Sequence, residues 1–402
     1  MDRVLPSGTD GMHTERPNPE GVPTTARPCF DRRTLLTAAL ATGVGAGAAG
    51  ATAFTRSPQR TPAGPPPAPG SVPFHGARQS GVTHAQLPSV RLLALDLPDG
   101  AGRDALHALL ASIGAVLASA ADGSLADARL DGTPPVTSLV ALGPGPATRL
   151  RLNVPPSLAE LPAFSGDRLE PARSGGDLLV QLAAEQPWTT AVLTEHLVTA
   201  AARCGAAVRW SQAGFLPPVP EGRTPRNLFG FKDGTANPAP DDPSLWGLPG
   251  PHADGTVLVY RRIRMDTAAF AALPTERQEL AVGRRADTGA PLTGNAEHDT
   301  PDVYAKHPDG SYVLPADAHV RLSNPRLDGG ARMLRRSWSY DDGPADRGLL
   351  FCAFLRDPAL FTRVQTRLAE HDALTPFLTH TASVLAWVLP GAPEGRQLGA
   401  DL

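Results

Sequence analysis

Cysteine and lysine are nearly missing from this 402-residue chain. Its three cysteines stand at 29, 204 and 352, with no CxxC or CxxCH, so no thiolates are spaced for zinc, an iron–sulfur cluster or thioether attachment of a cofactor. Lysine occurs only at 232 and 306, and arginine carries the remaining basic charge. The 37 basic residues are set against 40 acidic ones, and a net charge of −3 argues against a surface that tracks nucleic-acid phosphates. Aromatic residues make up 5% of the chain. The length, at ~150 residues per domain, predicts two domains and a sizeable core.

The first 80 residues lack any apolar periodicity long enough to bury a face, and they are rich in Pro, Gly, Thr and Ala. Within them Arg32 and Arg33 precede an uncharged Ala/Gly/Leu stretch, and Ala51-Thr52-Ala53 is a small-residue cleavage pattern. Residues 1–53 therefore resemble a twin-arginine export signal, which implies the translocation machinery as a partner and an extracellular, cell-wall or periplasmic destination. A membrane anchor is the alternative, although so much Gly and Ala is weakly hydrophobic for the ~20 residues a span needs. Residues 54–84, including "TPAGPPPAPGS", read as a disordered linker.

From residue 90 the pattern becomes regular. "VRLLALDL" predicts a strand, and Leu106, Leu109, Leu110, Ile113, Val116 and Leu117 mark one face of a helix. Two more strands, a helix over 188–203 and the strand "AAVRWSQAGF" complete the order β-α-β-β-α-β. The same order recurs after residue 256, where Asp357-Pro358 supplies an N-cap and a first-turn proline for the second helix. The predicted fold is α+β: two ferredoxin-like split-βαβ units with antiparallel sheets, over 85–222 and 223–396. Residues 282–331 interrupt the second unit with little regular pattern, and structureless insertions of that length are usually functional. Cys352 lies in the apolar run "GLLFCAFL" and reads as an inert core thiol.

The insertion holds His298, His307, His319, Arg321 and Arg326. An extended "HVRL" would place His319 and Arg321 on one face. Ahead of it, "NLFGFKDGTANP" (227–238) contains Asp233-Gly234, which alone signals an ordinary turn.

Together with "VGRRADTGAPL", "NAEHDTPD" and "AHVRLSNPR", that stretch resembles the dye-decolourising peroxidases, with four motifs in family order across roughly residues 85–395. The resemblance implies a peroxidase using hydrogen peroxide and a small aromatic, dye or metal-ion electron donor. It also implies one non-covalent haem b per chain, held mainly by the C-terminal unit. His298 would ligate the iron, with His319 as its rival, and Asp233 and Arg321 would form the catalytic pair on the opposite face. Gly230 and Gly234 would admit the porphyrin to the backbone, and Arg335 would meet its propionates or form a surface ion pair. Asp299 and Glu297 are candidates for orienting the ligating imidazole, while Trp210, Trp246, Trp338, Tyr340 and Trp387 either relay electrons or fill the core. The alternative activity is a haem-binding, iron-uptake protein of the deferrochelatase type. A ferredoxin-like binding protein without cofactor is a third reading.

Overall fold

The computed structural model describes residues 71–130, 134–220 and 222–402, all within one compact unit spanning Ser57–Leu402. The export motif and most of the proline-rich segment lie outside the described residues.

The first half runs α1 (Ser80–Thr83), β1 (Ser89–Asp96), α2 (Arg103–Asp122), β2 (Val136–Leu142), α3 (Pro144–Arg149), β3 (Leu178–Ala184), α4 (Pro187–Arg203) and β4 (Ala207–Phe215). The second runs β5 (Thr256–Met265), α5 (Thr267–Ala271), α6 (Thr275–Val282), α7 (His319–Leu322), β6 (Leu334–Arg335), β7 (Trp338–Asp341), β8 (Arg347–Leu355), α8 (Pro358–His371) and β9 (Leu378–Val388).

All strand pairs are antiparallel. The order is β5-β9-β2-β3-β1-β4-β7-β8-β6, and an additional β5–β8 pairing closes the circuit. Each half repeats one arrangement, β2-β3-β1-β4 and then β7-β8-β5-β9. The seams are narrow: Phe215 pairs with Ser339, while Ala141 and Leu142 pair with Val388 and Trp387.

Inside the circuit, apolar side chains from both halves make one core, including Leu92, Trp210, Tyr260, Trp338, Tyr340, Cys352 and Phe354. Cys352 is fully buried and its thiol is pushed up by desolvation, as an inert core cysteine should be. Outside, α2 and α4 cover the first half through Leu106, Leu110, Ile113, Leu193 and Leu197. The corresponding face of the second half is covered differently, by α8 and by the insertion.

The linker is shorter than the sequence suggests. Gln79 is buried and its amide donates to Val140 O and Leu389 O, both at 2.8 Å, while Val140 N donates back to Gln79 Oε1 at 2.7 Å. One glutamine thus satisfies three buried backbone groups, which fixes the segment from Gln79 onward into the fold. The stretch "RMLRRSWSY" carries two short strands, β6 and β7, both along the same edge of β8. The stretch between β5 and the insertion forms two helices, α5 and α6, because Pro274 cannot continue α5.

Candidate active site

A cavity of about 700 Å³ opens on the outer face of the second half. Its floor follows from strand alternation: Arg261, Ile263 and Met265 of β5 lie beside Leu349 and Phe351 of β8, and beside Leu378 and His380 of β9. Phe361, Val364, Gln365 and Leu368 of α8 face this floor. The remaining wall comes from residues 227–237 and from the insertion.

The 227–238 stretch is indeed a turn, but one that carries a side chain into the cavity. Asn227 N donates to Phe231 O at 2.9 Å, Gly230 takes φ +85° within the loop, and Asp233 N donates to Pro225 O at 3.0 Å. Asp233 lines the cavity. Just before it, Lys232 pairs with Glu297 of the insertion, whose other oxygen accepts Thr224 N at 2.9 Å. Burial alone would raise the Glu297 carboxyl, but hydrogen bonds from Lys232 and Thr224 bring it down to about 2. Just after it, Asn237 donates to Arg335 O at 2.7 Å and accepts from Arg335 N at 3.0 Å.

Arg335 ends β6, and Arg336, next along the chain, turns to the other side. Arg335 lines the cavity. Arg336 is buried on the other side, donating to Val82 O at 2.9 Å, and desolvation lowers it to about 10.

His319 lines the same cavity. Its Nδ1 donates to Asp372 Oδ2 at 2.6 Å, and Leu374 N donates to the other carboxylate oxygen at 2.9 Å. The ring is enclosed by protein, and its 31% side-chain exposure is exposure to the cavity. Burial works against its protonation, but the charge and hydrogen bond of Asp372 outweigh burial and raise the pKa. Arg335 pulls that pKa down and Asp233 pushes it up, so both act on the ring electrostatically. Nδ1 is engaged, and Nε2 has no hydrogen bond among the described residues. This is how proteins orient a metal-ligating imidazole.

No group of three or more His, Cys, Asp or Glu side chains converges as a metal site among the described residues. One carboxylate-held imidazole beside an apolar cavity suits the axial position of a macrocyclic metal rather than a bare ion.

Comparison with known proteins agrees with this geometry. Residues 79–216 match the family Dyp-type peroxidase, N-terminal, and 224–393 match Dyp-type peroxidase, C-terminal. The dye-decolorizing peroxidase of Thermobifida fusca (strain YX) is 38% identical, covering 94% of this chain and 99% of that protein. The chain belongs to the Dyp-type peroxidase family. Within that family, the deferrochelatase of Escherichia coli (strain K12) is 30% identical over 81% of this chain and 85% of its own. The oxyferrous/water mixed complex of DtpA from Streptomyces lividans superposes with a TM-score of 0.77 at 35% identity, covering 82% of this chain and 96% of that one.

Dyp-type motifs fall around the cavity, but the expected division of labour among them changes. Arg321 does not line the cavity: its guanidinium donates to Val303 O and Leu314 O and stacks 3.9 Å from the Tyr312 ring. The reason is that "HVRL" is helical. At ~100° per residue, His319 and Arg321 diverge by about 200°. His298 sits on the cavity wall with its side chain 60% exposed, holding only Thr235 O at 3.4 Å and Glu297 at 3.8 Å. No carboxylate fixes it as Asp372 fixes His319. Asp299, a candidate to orient His298, caps its own loop by accepting Asn295 N and Ala296 N, and Glu297 serves Lys232 and lies 3.8 Å from the His298 ring, so neither holds that ring as Asp372 holds His319.

Gly230 does not line the cavity, and a Cβ there would meet nothing within 4 Å, so its role is the positive φ. Gly234 does line it, at φ +109°. Arg326 also lines it. Asp372 gave no signal in the sequence: it lies 53 positions from its partner, in a stretch without a motif.

Proposed function

We infer that the protein is a haem-dependent peroxidase that reduces hydrogen peroxide and oxidises dye-like, phenolic or metal-ion donors. The observation that carries this reading is one cavity bringing together the His319–Asp372 pair with Asp233 and Arg335. The residues fit non-covalent haem b: an imidazole oriented by a buried carboxylate, an apolar enclosure, and a backbone kept open at Gly234. His319 Nε2 would ligate the iron, and the guanidiniums of Arg326 and Arg332 line the cavity where the haem carboxylates could meet them. When bound, haem supplies the iron centre that accepts oxidising equivalents from peroxide and passes them to the reducing donor.

This chain's residues supply the rest. An Asp233 carboxylate oxygen takes the proton from one peroxide oxygen and returns it to the other, which makes water the leaving group. Arg335, fixed through its own backbone by Asn237, stabilises the charge that develops as the oxygens separate. The two halves, with their matching strand order, read as duplicated ferredoxin-like units of which the second holds the cofactor. Arg32 and Arg33 read as the export signal of the twin-arginine route.

The test is the visible spectrum of purified protein. His319→Ala is expected to lose the Soret band or leave it weak and shifted, whereas His298→Ala keeps it. The opposite result returns the ligand to His298. Iron uptake of the deferrochelatase kind has support in the 30% relative, but the 38% relative spanning nearly the whole chain favours the peroxidase. Release of iron from intact porphyrin, without peroxide turnover, would reverse that preference.

A further inference from the structure

Part of the cavity wall takes no role in the chemistry above. Arg261, with no exposed surface, forms an ion pair with Asp167, donates through NH1 to Ser383 Oγ at 3.2 Å, and lies 5.3 Å over the Phe164 ring. Its Nε donates to His380 Nδ1 at 3.3 Å. A β-bulge between Arg262 and Ile263 shifts the register of β9 so that His380 pairs with Ile263 and shares the cavity face with Arg261. His380 Nε2 in turn lies 3.5 Å from the side-chain amide of Gln365 on α8, and Gln365 is 7% exposed.

The direction of these bonds is fixed from one end. The guanidinium can only donate, so His380 Nδ1 is an acceptor and the ring hydrogen sits on Nε2. Burial, and then the neighbouring Arg261 charge, push the His380 pKa down to about 3, so the ring is neutral at ordinary pH. A protonated Nε2 needs an acceptor, which sets the Gln365 carbonyl oxygen toward the ring and turns its NH2 away. Among the described residues the other amide atom of Gln365 makes no hydrogen bond, and Gln365 lines the cavity. On a cavity-lining residue, that NH2 is placed to donate to an occupant.

We propose that Gln365, aimed by His380 and Arg261, is a hydrogen-bond-donor subsite for a neutral ether or carbonyl oxygen on an aromatic reducing substrate. Neutrality follows from the groups that aim Gln365: Asp167 pairs with Arg261 and the His380 ring is neutral, so neither offers a free charge to a carboxylate. Aromaticity follows from its neighbours Phe351, Leu360, Phe361, Val364 and Leu368, which also line the cavity. Along α8 the subsite lies seven residues from the partner of His319, ~10 Å at 1.5 Å per residue, so it is separate from the group that holds the imidazole. The proposal rests on the peroxidase reading and names a substrate feature for it.

The test uses the haem-loaded enzyme without peroxide and two phenols of matched size, 4-methoxyphenol and 4-ethylphenol, which differ in one acceptor oxygen. Calorimetric titration of Gln365→Leu is expected to show binding of 4-methoxyphenol weakened about 5- to 10-fold, the size of one net hydrogen bond, with 4-ethylphenol within twofold of wild type. His380→Leu, which keeps the amide but frees its orientation, is expected to give a smaller loss for the same phenol only. Equal losses for both phenols, or none, overturn the proposal. So does a Gln365→Leu protein whose haem affinity falls while phenol binding stays intact, because the donor would then serve the cofactor. If the methoxy preference depends on Gln365 yet peroxide is not turned over, the subsite stands and the peroxidase reading falls.

Discussion

Asn237 holds Arg335 by both of its backbone polar groups, donating to its carbonyl at 2.7 Å and accepting from its N–H at 3.0 Å. The loop that carries Asp233 is thereby fastened, four residues on, to the strand that carries Arg335, so the carboxylate and the guanidinium share one cavity through a single amide. Asn237→Ala should leave both backbone groups without partners, at ~1–3 kcal/mol for each buried group left unsatisfied. The expected result is a lower thermal midpoint together with slower reaction with peroxide at full haem occupancy. A normal peroxide rate in a destabilised variant would show that the clamp serves the fold alone.

Asp372→Asn should weaken the haem site without emptying it. Loss of a carboxylate behind a metal-ligating imidazole typically costs ~10–100-fold in metal affinity or activity. The check is haem titration of apoprotein, together with the position of the Soret band. Unchanged affinity and spectrum would remove Asp372 from the role assigned to it.

The strands and helices that position the site were legible because their apolar periods are long: β1, α2, β5, β8 and α8 all stand where the pattern places them. Asp233 was legible as a member of a motif, whereas Arg335 stands outside all four and is offered by the sequence only as a partner for propionates or a surface ion pair. The preference for His298 over His319 rests on the family resemblance alone, and whether His319 and Arg321 share a face turns on four residues, "HVRL", which carry no period. An extended run would put Arg321 beside His319, whereas the helical turn sends Arg321 to Tyr312, and Arg335 lines the cavity in its place. Asp372 was illegible for another reason: a tertiary hydrogen bond across 53 positions leaves no local trace.

The Lys232–Glu297 pair ties acid stability to the cavity wall. The folded-state pKa of Glu297 is depressed to about 2 from an ordinary 4.5. Its contribution is therefore fully present above pH 4.5 and lost as the pH falls toward 2. Glu297→Gln should be less stable than wild type at neutral pH, and the gap should shrink as pH falls through that window. Thermal midpoints of both proteins from pH 7 down to pH 2 provide the measurement, and a pH-independent gap would refute an ionic origin.

Replacing Arg32 and Arg33 together by lysine should hold the protein in the cytoplasm, because a receptor reads the arginine pair and not its charge. Fractionation of expressing cells decides the matter. Undiminished export of the double variant would exclude the twin-arginine route.

Asp233 and Arg335 are assigned different tasks in one step, so each should slow that step while haem stays bound. Proton transfer by a placed carboxylate is typically worth ~10²–10⁴-fold, and a preorganised charge or donor ~10²–10³-fold. Asp233→Asn and Arg335→Leu are therefore expected to slow the absorbance change that follows rapid mixing with peroxide by at least two orders of magnitude. Arg321→Leu is the informative control. It removes hydrogen bonds to Val303 O and Leu314 O and the stack on Tyr312, all outside the cavity, so it should lower the thermal midpoint and leave the peroxide rate within a few-fold of wild type. A large rate loss in Arg321→Leu with a normal rate in Arg335→Leu would exchange their roles, and would mean that the helical turn at His319 rearranges when the cofactor binds.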